Sequence, residues 1–416
     1  MLDTKGPEIR TGDLADPTQK ISLKKGQKIR LTSDLSVKCS PEVISFTYQE
    51  LFSDLNVGSK ILLADGNLTI RVLEKDQASK SLIGEVQNDF ELGSKKNVNL
   101  PGVAVKLPII SPTDRLDLID FGIKHKVDFV ALSFTTSQDS VKICRDVLGE
   151  VGRHIKIISK IENQQGLSEV EGILQVSDGI MIARGDLGME MDLQKMFVAQ
   201  TYMTELARKH NKIAVVATQM LESMVQNSRP TRAEITDVGH AVWSMVDSTM
   251  LSGETGGGQY PAEAAETMNR IALETEAHIT FGNQFTDGLT TEPEEETWWQ
   301  SLKGSLRVLR PRKLANSDLA KEAVRLSIGS PVAGIIVGGG NEELVQMISS
   351  FRPGVPIFFF HKDHQVLNGI KLNYGVYPLL DQSGLHPSMA QRMIATVDFF
   401  KKNGFTDPHP QTTDFW

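Results

Sequence analysis

The sequence predicts an α/β protein with a parallel sheet, and three observations support this fold class. Short apolar strands alternate with amphipathic helices from about residue 103 to residue 277. A similar alternation returns in the last third of the chain, whereas residues 6–102 consist of short β-like runs separated by turn residues. Because apolar strands that alternate with helices form parallel sheets covered by helices, we expect two α/β regions and one small all-β region.

The all-β region is predicted from its strands and turns. Four runs have the composition of short strands: Ile21–Leu23, Ile29–Leu31, Lys60–Leu63 and Leu82–Val86. Turn residues lie between or after them, at Lys25-Gly26, Asp65-Gly66-Asn67 and Leu92-Gly93-Ser94. We therefore expect a small module of short strands in this part of the chain.

The middle region is predicted to contain five apolar strands with helices between them. The strands are Val127–Phe134, Ile155–Ile161, Gly179–Ala183, Ile213–Thr218 and Ser248–Ser252. Two of the helices are Leu193–His210 and Thr231–Met245. An earlier helix has a start signal, because Ser111-Pro112 is followed by Asp114.

The last region follows a polar stretch, Gly282–Glu296, that we interpret as a linker or surface loop. Its predicted elements are a helix near Ser317–Ser327, strand Val332–Val337, helix Asn341–Phe351, strand Pro356–Phe360, a helix near His364–Tyr374, strand Val376–Leu380 and helix Ser388–Lys402. Right-handed βα units of this kind form an open, doubly wound sheet.

Composition excludes several classes of protein. The formal net charge of −8 over 416 residues gives no general attraction to nucleic acid or to an acidic membrane. No apolar run approaches the roughly 20 residues that span a bilayer, and the first residues do not resemble a secretory signal. Cys39 and Cys144 allow one disulfide at most, which excludes a disulfide scaffold. We expect a cytoplasmic protein that binds neither nucleic acid nor membrane.

Polar residues collect at the ends of the predicted strands of the middle region. They are Ser133, Lys160 with Glu162, Asp186, Thr218, and Ser252 with Glu254. In a (β/α)₈ barrel the carboxyl ends of the strands form the active-site face. Each residue alone is more readily explained as part of a strand end or surface loop. Their joint pattern predicts that they converge on one pocket.

Two of these residues suggest a metal site. Glu162 and Asp186 are hard oxygen ligands on neighbouring strand ends, and two carboxylates with substrate oxygens and waters suit Mg²⁺ or Mn²⁺. Lys160 beside them could neutralise charge on a phosphoryl group during transfer. The alternative is a plain ion pair between Lys160 and Glu162.

Six longer segments include or flank these residues. They are Leu2–Arg10, Lys160–Asn163, Asp178–Gly188, Ala217–Met224, Arg229–Glu234 and Met250–Thr255. In sequence they closely resemble the pyruvate kinase family, and each segment is specific to it. The resemblance runs from residue 2 into the C-terminal region.

The resemblance implies a three-part architecture. It consists of a (β/α)₈ TIM barrel whose first strands are missing, an inserted small β-barrel lid domain, and a C-terminal three-layer α/β domain. The expected boundaries are 1–5 and 103–277 for the barrel, 6–102 for the lid, and 278–416 for the C-terminal domain.

The resemblance also implies the reaction, which is phosphoryl transfer from phosphoenolpyruvate to ADP to give pyruvate and ATP. By position, Glu162 and Asp186 would carry Mg²⁺ or Mn²⁺, and Lys160 would stabilise the transferring phosphoryl group. Substrate contacts would come from Ser133, Ala183, Gly185, Asp186 and Thr218, and the proton path to the enolate carbon from Thr218 and Ser252. Arg10 would face the nucleotide phosphates, and Asp3 with Thr4 would form part of a K⁺ site. The family also suggests a homotetramer.

The sequence departs from the family in several places. Before residue 2, relatives have two more barrel strands and a motif of the type Arg-x-Asn-x-Ser-His-Gly, so an N-terminally incomplete chain is expected. Gly338-Gly339-Gly340-Asn341 stands where regulated relatives have a Ser/Thr-rich phosphate loop, which predicts weak or no activation by fructose 1,6-bisphosphate.

Two alternatives to an active kinase follow from the residues. The first is a truncated, catalytically inactive isoform that acts as a subunit-interaction or binding protein. The second is a metal-dependent lyase or aldolase on a related barrel, because those enzymes also use a Glu/Asp pair. The segments Leu2–Arg10 and Arg229–Glu234 argue against the lyase.

Overall fold

The structure of the chain is a computed structural model that describes residues 1–16, 18–279, 316–329, 332–338, 340–381, 396 and 398. The chain divides into two compact units. The first consists of Met1–Leu206 and Val216–Gln219, and the second of Ala207–Val215 and Met220–Trp416.

The strands alternate with helices over most of the described chain. The strands are β1 (Leu2–Asp3), β2 (Ile9–Arg10), β3 (Ile21–Leu23), β4 (Lys28–Thr32), β5 (Val43–Ser45), β6 (Lys60–Leu63), β7 (Leu68–Asp76), β8 (Ser81–Val86), β9 (Phe90–Leu92), β10 (Asn97–Asn99), β11 (Phe129–Leu132), β12 (Lys156–Ile161), β13 (Gly179–Ala183), β14 (Ile213–Ala217), β15 (Ser248–Met250), β16 (Ile335–Val337), β17 (Ile357–His361) and β18 (Val376–Leu380).

The α-helices are mostly short in the first half of the chain and longer after residue 196. They are α1 (Leu51–Asp54), α2 (Pro112–Leu116), α3 (Gln138–Leu148), α4 (Gln164–Ser168), α5 (Val170–Val176), α6 (Arg184–Glu190), α7 (Met196–Lys209), α8 (Arg232–Trp243), α9 (Gly253–Gly256), α10 (Pro261–Ala277), α11 (Asn316–Gly329), α12 (Glu342–Ser350) and α13 (His364–Gly369). A π-helix spans Asp117–Ile123, and 3₁₀ turns span Leu193–Lys195 and Glu222–Val225.

The first unit contains a parallel sheet with strand order β1-β11-β12-β13. Its register pairs Leu2 with Val130 and Val130 with Ile157. Every residue of β11 and β13 is buried, as expected for parallel strands covered on both faces. The strands predicted for the middle region are confirmed, but four are shorter than predicted and span Phe129–Leu132, Lys156–Ile161, Ile213–Ala217 and Ser248–Met250.

Helix starts in this region follow local capping chemistry. At α2 the Ser111 hydroxyl accepts a 3.1 Å hydrogen bond from the Asp114 N–H, and the Asp114 carboxylate accepts a 3.0 Å bond from the Ser111 N–H. This capping box confirms the start signal read from the sequence. The helix predicted over Leu193–His210 is interrupted, because its first three residues form a 3₁₀ turn before α7 begins at Met196.

Strands β2 to β10 form a β-rich body that we call the β module (residues 9–99). Seven of them make one sheet with order β2-β10-β6-β7-β8-β4-β5, and β3 pairs with β9. All neighbours that have a defined register are antiparallel except β4 and β5. The four strands predicted here are confirmed, and a continuous apolar core fills the module.

The two connections between the parallel sheet and the β module meet at one carboxylate. Asp114 is fully buried and accepts hydrogen bonds from the N–H groups of Lys5 at 2.7 Å and Gly6 at 3.2 Å, on the outgoing chain. It also binds the Ser111 hydroxyl at 2.6 Å, on the returning chain. Gly6 has φ of +70°, and a Cβ there would lie 3.0 Å from atoms of Ser133 and Phe134, so this position requires glycine.

The second unit contains the three-stranded parallel sheet β16-β17-β18. The predicted strands and helices of this region are confirmed as far as Leu380, although α13 ends at Gly369 and not near Tyr374. The predicted linker Gly282–Glu296 and helix Ser388–Lys402 lie outside the described residues, apart from Thr396 and Asp398 of the helix.

A buried ion pair lies within the second unit. Arg352 Nη2 is 3.0 Å from Asp247 Oδ2, and both side chains are 4% exposed. Asp247 also accepts hydrogen bonds from the N–H groups of Ala214 at 2.9 Å and Tyr374 at 3.1 Å. The charge of Asp247 is therefore well satisfied.

Both cysteines are free and buried, so the single disulfide that the sequence allowed is not formed. In the described part of the chain, no helix combines the length and the apolar character needed to cross a membrane.

Candidate active site

A cavity of about 1120 Å³ opens in the first unit at the carboxyl ends of the parallel strands. Its wall includes seven residues that the sequence singled out: Asp3, Thr4, Arg10, Ser133, Lys160, Glu162 and Asp186. Residues of the β module complete the wall. Four of the strand-end residues of the sequence, Ser133, Lys160, Glu162 and Asp186, thus lie in one wall.

Lys160 is the centre of the polar cluster. Its Nζ lies 3.2 Å from Glu162 Oε1 and 3.1 Å from Asp3 Oδ1, and it donates a 2.9 Å hydrogen bond to Ser133 Oγ. Burial alone would lower the pKa of Lys160, but the charges of Glu162 and Asp3 outweigh it and hold the pKa above its ordinary value. Lys160 is therefore a fixed positive charge in the cavity wall.

Glu162 is a buried carboxylate, and its surroundings disfavour its ionised form. It is 2% exposed, and its Oε2 accepts a 2.6 Å hydrogen bond from the Phe134 N–H. Burial raises the pKa of Glu162 to about 7, with the nearby charge of Asp186 adding to the rise and Lys160 opposing it. Burial likewise raises the pKa of Asp186. A cation bound between these two carboxylates would stabilise the ionised form of both.

The donor set fits Mg²⁺ or Mn²⁺. These ions are usually held by one or two carboxylates, with the remaining positions filled by substrate oxygens and water. Within the described ranges, no group of three or more His, Cys, Asp or Glu side chains is placed to hold a metal ion. Glu162 and Asp186 thus supply two of the ligands and leave the others to substrate and solvent.

The oxygens of Asp3 and Thr4 lie at the end of β1. The Thr4 hydroxyl donates to the Ala131 carbonyl at 3.3 Å and accepts from the Ser133 N–H at 3.0 Å, so its position is fixed. Arg10 lies in the same cavity wall, where its Nε donates to Glu8 Oε2 at 2.9 Å and its Nη1 donates to the Lys95 carbonyl at 3.0 Å.

Thr218 is held next to α6 rather than in the cavity wall. Its Oγ1 accepts a 2.7 Å hydrogen bond from the Gly185 N–H, and its carbonyl accepts a 2.8 Å bond from Arg184 Nη2. Both Thr218 and Gln219 have positive φ, at 68° and 55°. A β-branched residue is strained in this conformation, and such strain is concentrated at functional sites.

Three predicted residues of the first unit are not in the cavity wall: Ala183, Gly185 and Thr218. Ser252 belongs to the second unit, where its N–H donates a 2.7 Å hydrogen bond to Glu254 Oε2. The other oxygen of Glu254 accepts a 3.0 Å bond from the Leu221 N–H. This carboxylate fixes the turn that carries Ser252.

Sequence reasoning missed several residues of the wall. Asn99 and Glu190 lie in the same cavity wall as Asp186, and Lys95 with Lys96 adds positive charge from the β module. The adjacent lysines are a visible signal in the sequence. Asn99 has no such signal in the sequence, because its place in the wall depends on how distant segments of the chain come together.

Comparisons with known proteins agree with this geometry. The family model "Pyruvate kinase, barrel domain" matches residues 1–265. The soybean "Pyruvate kinase, cytosolic isozyme" is 40% identical over 357 residues, which are 86% of this chain and 66% of the relative. The pyruvate kinase of Dictyostelium discoideum is 39% identical over 397 residues, which are 95% of this chain and 73% of the relative.

A solved structure gives the same result. The crystal structure of a pyruvate kinase from Cryptosporidium parvum superposes with a TM-score of 0.85 at 37% identity, covering 98% of this chain and 79% of the other. The chain spans about two thirds to three quarters of the length of the curated relatives above. With a family match over residues 1–265 and an α/β fold shared with a solved relative, the chain belongs to the pyruvate kinase family.

Proposed function

We propose that the chain catalyses phosphoryl transfer from phosphoenolpyruvate to ADP, giving pyruvate and ATP. The observation that carries this proposal is the cluster of half-buried Lys160 and Asp186 with buried Glu162 at the strand ends, inside a cavity of substrate size. Family membership supports the same reaction. No observation favours the inactive isoform or the lyase.

Each residue of the cluster has a role in this proposal. Glu162 and Asp186 would hold Mg²⁺ or Mn²⁺, and this cation would supply positive charge to the substrate oxygens. Lys160 carries a permanent charge in the wall, so it stabilises the transferring phosphoryl group without a proton transfer. Asp3 and Thr4 would provide two oxygens to K⁺.

Substrate and proton contacts complete the mechanism. Ser133 is hydrogen-bonded to Lys160, so a phosphoenolpyruvate molecule near Lys160 also meets Ser133. Ala183, Gly185 and Thr218 would contact the same substrate, and Thr218 with Ser252 would deliver the proton to the enolate carbon. Arg10 would bind the nucleotide phosphates once it leaves Glu8.

Three further statements belong to this proposal. The β module acts as a lid that excludes water during transfer, with the C-terminal α/β region as a separate domain. The protein assembles as a homotetramer, as its family suggests. It works in the cytosol, in keeping with the name "Pyruvate kinase, cytosolic isozyme" of the soybean relative. Weak or absent activation by fructose 1,6-bisphosphate stays a prediction.

A coupled assay that follows pyruvate formation tests the reaction. We expect turnover by the purified chain that requires Mg²⁺ or Mn²⁺, and a loss of about 100-fold or more in kcat for Lys160→Met. Lys142→Met is the matched control, because Lys142 is exposed on α3 and pairs only with Asp139 among the ion pairs of the described chain. Its kcat should equal that of the wild type. A folded wild-type chain without turnover would contradict the proposal.

A further inference from the structure

One guanidinium joins the start of α6 to the turn that carries Thr218. Arg184 is the first residue of α6, two residues before Asp186. Its Nη2 donates hydrogen bonds to the Thr218 carbonyl at 2.8 Å and to the Gln219 carbonyl at 3.2 Å. Its Nε also donates to the Thr218 carbonyl, at 3.2 Å. A single side chain therefore binds the first two carbonyls that follow β14.

These two carbonyls belong to residues in an unfavourable backbone conformation. Thr218 has φ of 68° and Gln219 has φ of 55°. In this left-handed region the Cβ of any residue other than glycine crowds its own backbone, and a β-branched residue such as threonine is rarer still. Such a conformation persists only where the surrounding structure holds it. An arginine that binds both carbonyls is a contact of that kind.

Arg184 is itself held in place. It is half-buried, and its Nη1 donates to Gln200 Oε1 at 3.4 Å. Gln200 lies on α7 and is 3% exposed, so its amide has a defined position. Because the guanidinium is a planar group with its donors in fixed directions, a contact at one nitrogen also constrains the others. The Gln200 amide therefore helps to direct the guanidinium toward the turn.

The hydroxyl of Thr218 is fixed from the same helix. It accepts a 2.7 Å hydrogen bond from the N–H of Gly185, the residue after Arg184, and donates a 2.6 Å bond to the Ala217 carbonyl. The side chain of Arg184 thus holds the backbone of Thr218, while the backbone of Gly185 binds its hydroxyl. Two consecutive residues of α6 therefore determine where this hydroxyl lies.

We infer that Arg184 is a positioning residue for Thr218, because its guanidinium holds the left-handed backbone of Thr218 and Gln219 and thereby sets the place of the Thr218 hydroxyl. The inference rests on the proposed function in taking Thr218 as a substrate contact and as part of the proton path. A displacement of about 1 Å at a reacting group can cost about 100-fold in rate, so a contact of this kind matters to catalysis without touching a reacting atom.

The first test is the kcat of pyruvate formation, measured in H₂O and in D₂O. We expect Arg184→Met to lower kcat by about 10–100-fold. The ratio of kcat in H₂O to kcat in D₂O should rise, because a displaced hydroxyl slows the proton step in particular. Arg153→Met is the matched control, since the Arg153 side chain is 80% exposed and pairs with Glu150 at 3.8 Å. Its kcat and its isotope ratio should equal those of the wild type.

A second substitution tests whether Arg184 acts through the backbone. Gln219→Gly removes the Cβ that makes the left-handed conformation unfavourable at this position. Combined with Arg184→Met, it should therefore restore part of the lost kcat and lower the isotope ratio again. A direct effect of the Arg184 charge on the substrate would not be restored by glycine. A double variant no faster than Arg184→Met would overturn the inference.

A conservative variant guards against loss of folding. Arg184→Lys keeps the positive charge, but an ammonium group cannot reproduce the planar arrangement of donors that binds two carbonyls. We expect its kcat to lie between those of the wild type and Arg184→Met, with an unchanged circular dichroism spectrum. Wild-type kcat in both Arg184 variants would overturn the inference.

Amide hydrogen exchange separates this inference from the proposed function, because it needs no turnover. Exchange at Gly185 should be faster in Arg184→Met, since the displaced Thr218 hydroxyl no longer accepts the bond from this N–H. If the wild type forms pyruvate and Arg184→Met keeps both its kcat and its exchange rate, the kinase reaction stands and the positioning role fails. If exchange at Gly185 depends on Arg184 but the wild type forms no pyruvate, Arg184 still holds Thr218 and the kinase proposal fails.

Discussion

The Asp114 carboxylate accepts a 2.7 Å hydrogen bond from the backbone N–H of Lys5, which lies 109 residues earlier in the chain. The same side chain binds Ser111 on the returning segment. Asp114→Ala leaves one buried and several partly buried donors without an acceptor, so we expect a loss of about 2–4 kcal/mol in the free energy of unfolding. Urea denaturation of the wild type and the variant measures this difference in the free energy of unfolding.

The control for this variant is Asp139→Ala, which removes an exposed carboxylate from α3 and should leave the urea midpoint unchanged. Amide hydrogen exchange adds a local readout. Exchange at Lys5 and Gly6 should become faster in Asp114→Ala. Unchanged exchange at both amides would show that Asp114 does not hold the outgoing chain.

The Thr218 hydroxyl gives a second prediction. Thr218→Val keeps the side-chain shape but leaves the Gly185 N–H without its acceptor, which should cost about 1–3 kcal/mol in the free energy of unfolding. Thr218→Ser retains the hydroxyl and should recover most of that lost stability. We also expect its kcat to be higher than that of Thr218→Val. Thr201→Val, on the exposed side of α7, is the control. Equal stability of the Val and Ser variants would contradict the role of this hydrogen bond.

The buried pair of Arg352 and Asp247 gives a third prediction. Arg352→Met leaves a buried carboxylate without its charge partner, and the expected loss is about 3–5 kcal/mol in the free energy of unfolding. Adding Asp247→Asn to Arg352→Met should restore part of the lost free energy of unfolding, since the unpaired charge is then removed. Arg325→Met breaks an exposed pair on α11 and should have no measurable effect. Additive losses in the double variant would refute the coupling.

Stability should also depend on pH through two acids, buried Glu162 and half-buried Glu190. Burial raises the pKa of Glu162 and of Glu190 to about 7, from 4.5. The folded state therefore keeps protons that the unfolded chain has released, and the stability from these groups is present below about pH 4.5 and lost as pH rises through about 7. Glu190→Gln mimics the protonated acid at every pH.

The comparison of Tm values in EDTA tests this dependence. Near about pH 5 the wild type and Glu190→Gln should melt at similar temperatures, and near about pH 8 the variant should melt higher. A difference between the two proteins that does not vary with pH would exclude a raised pKa at Glu190.

Much of the fold could be predicted because local chemistry and tertiary structure agree. Gly179–Ala183 and Val376–Leu380 were predicted to the residue, since each is a short apolar run flanked by turn residues. The capping box at Ser111 likewise marks a helix start in both sequence and structure. Strand-end residues such as Lys160 and Glu162 could be placed in one site because parallel strands end on one edge.

Other features were not predictable from local sequence. The π-helix Asp117–Ile123 and the positive φ of Thr218 are imposed by packing around residue types that do not favour them. The cavity wall brings Asn99 together with Asp186 and Glu190 from segments far apart in the chain. No periodicity or turn preference encodes such a contact.

The position of β1 has a consequence for how the protein folds. Thr4 bonds to Ala131, 127 residues later, so β1 can complete its edge of the sheet only after the whole β module has been synthesised. Pairing across such a sequence separation is intrinsically slow. The nested module has its own apolar core, so we expect it to form first and to shorten the effective loop. During synthesis β1 therefore leaves the ribosome long before β11, the strand with which it pairs.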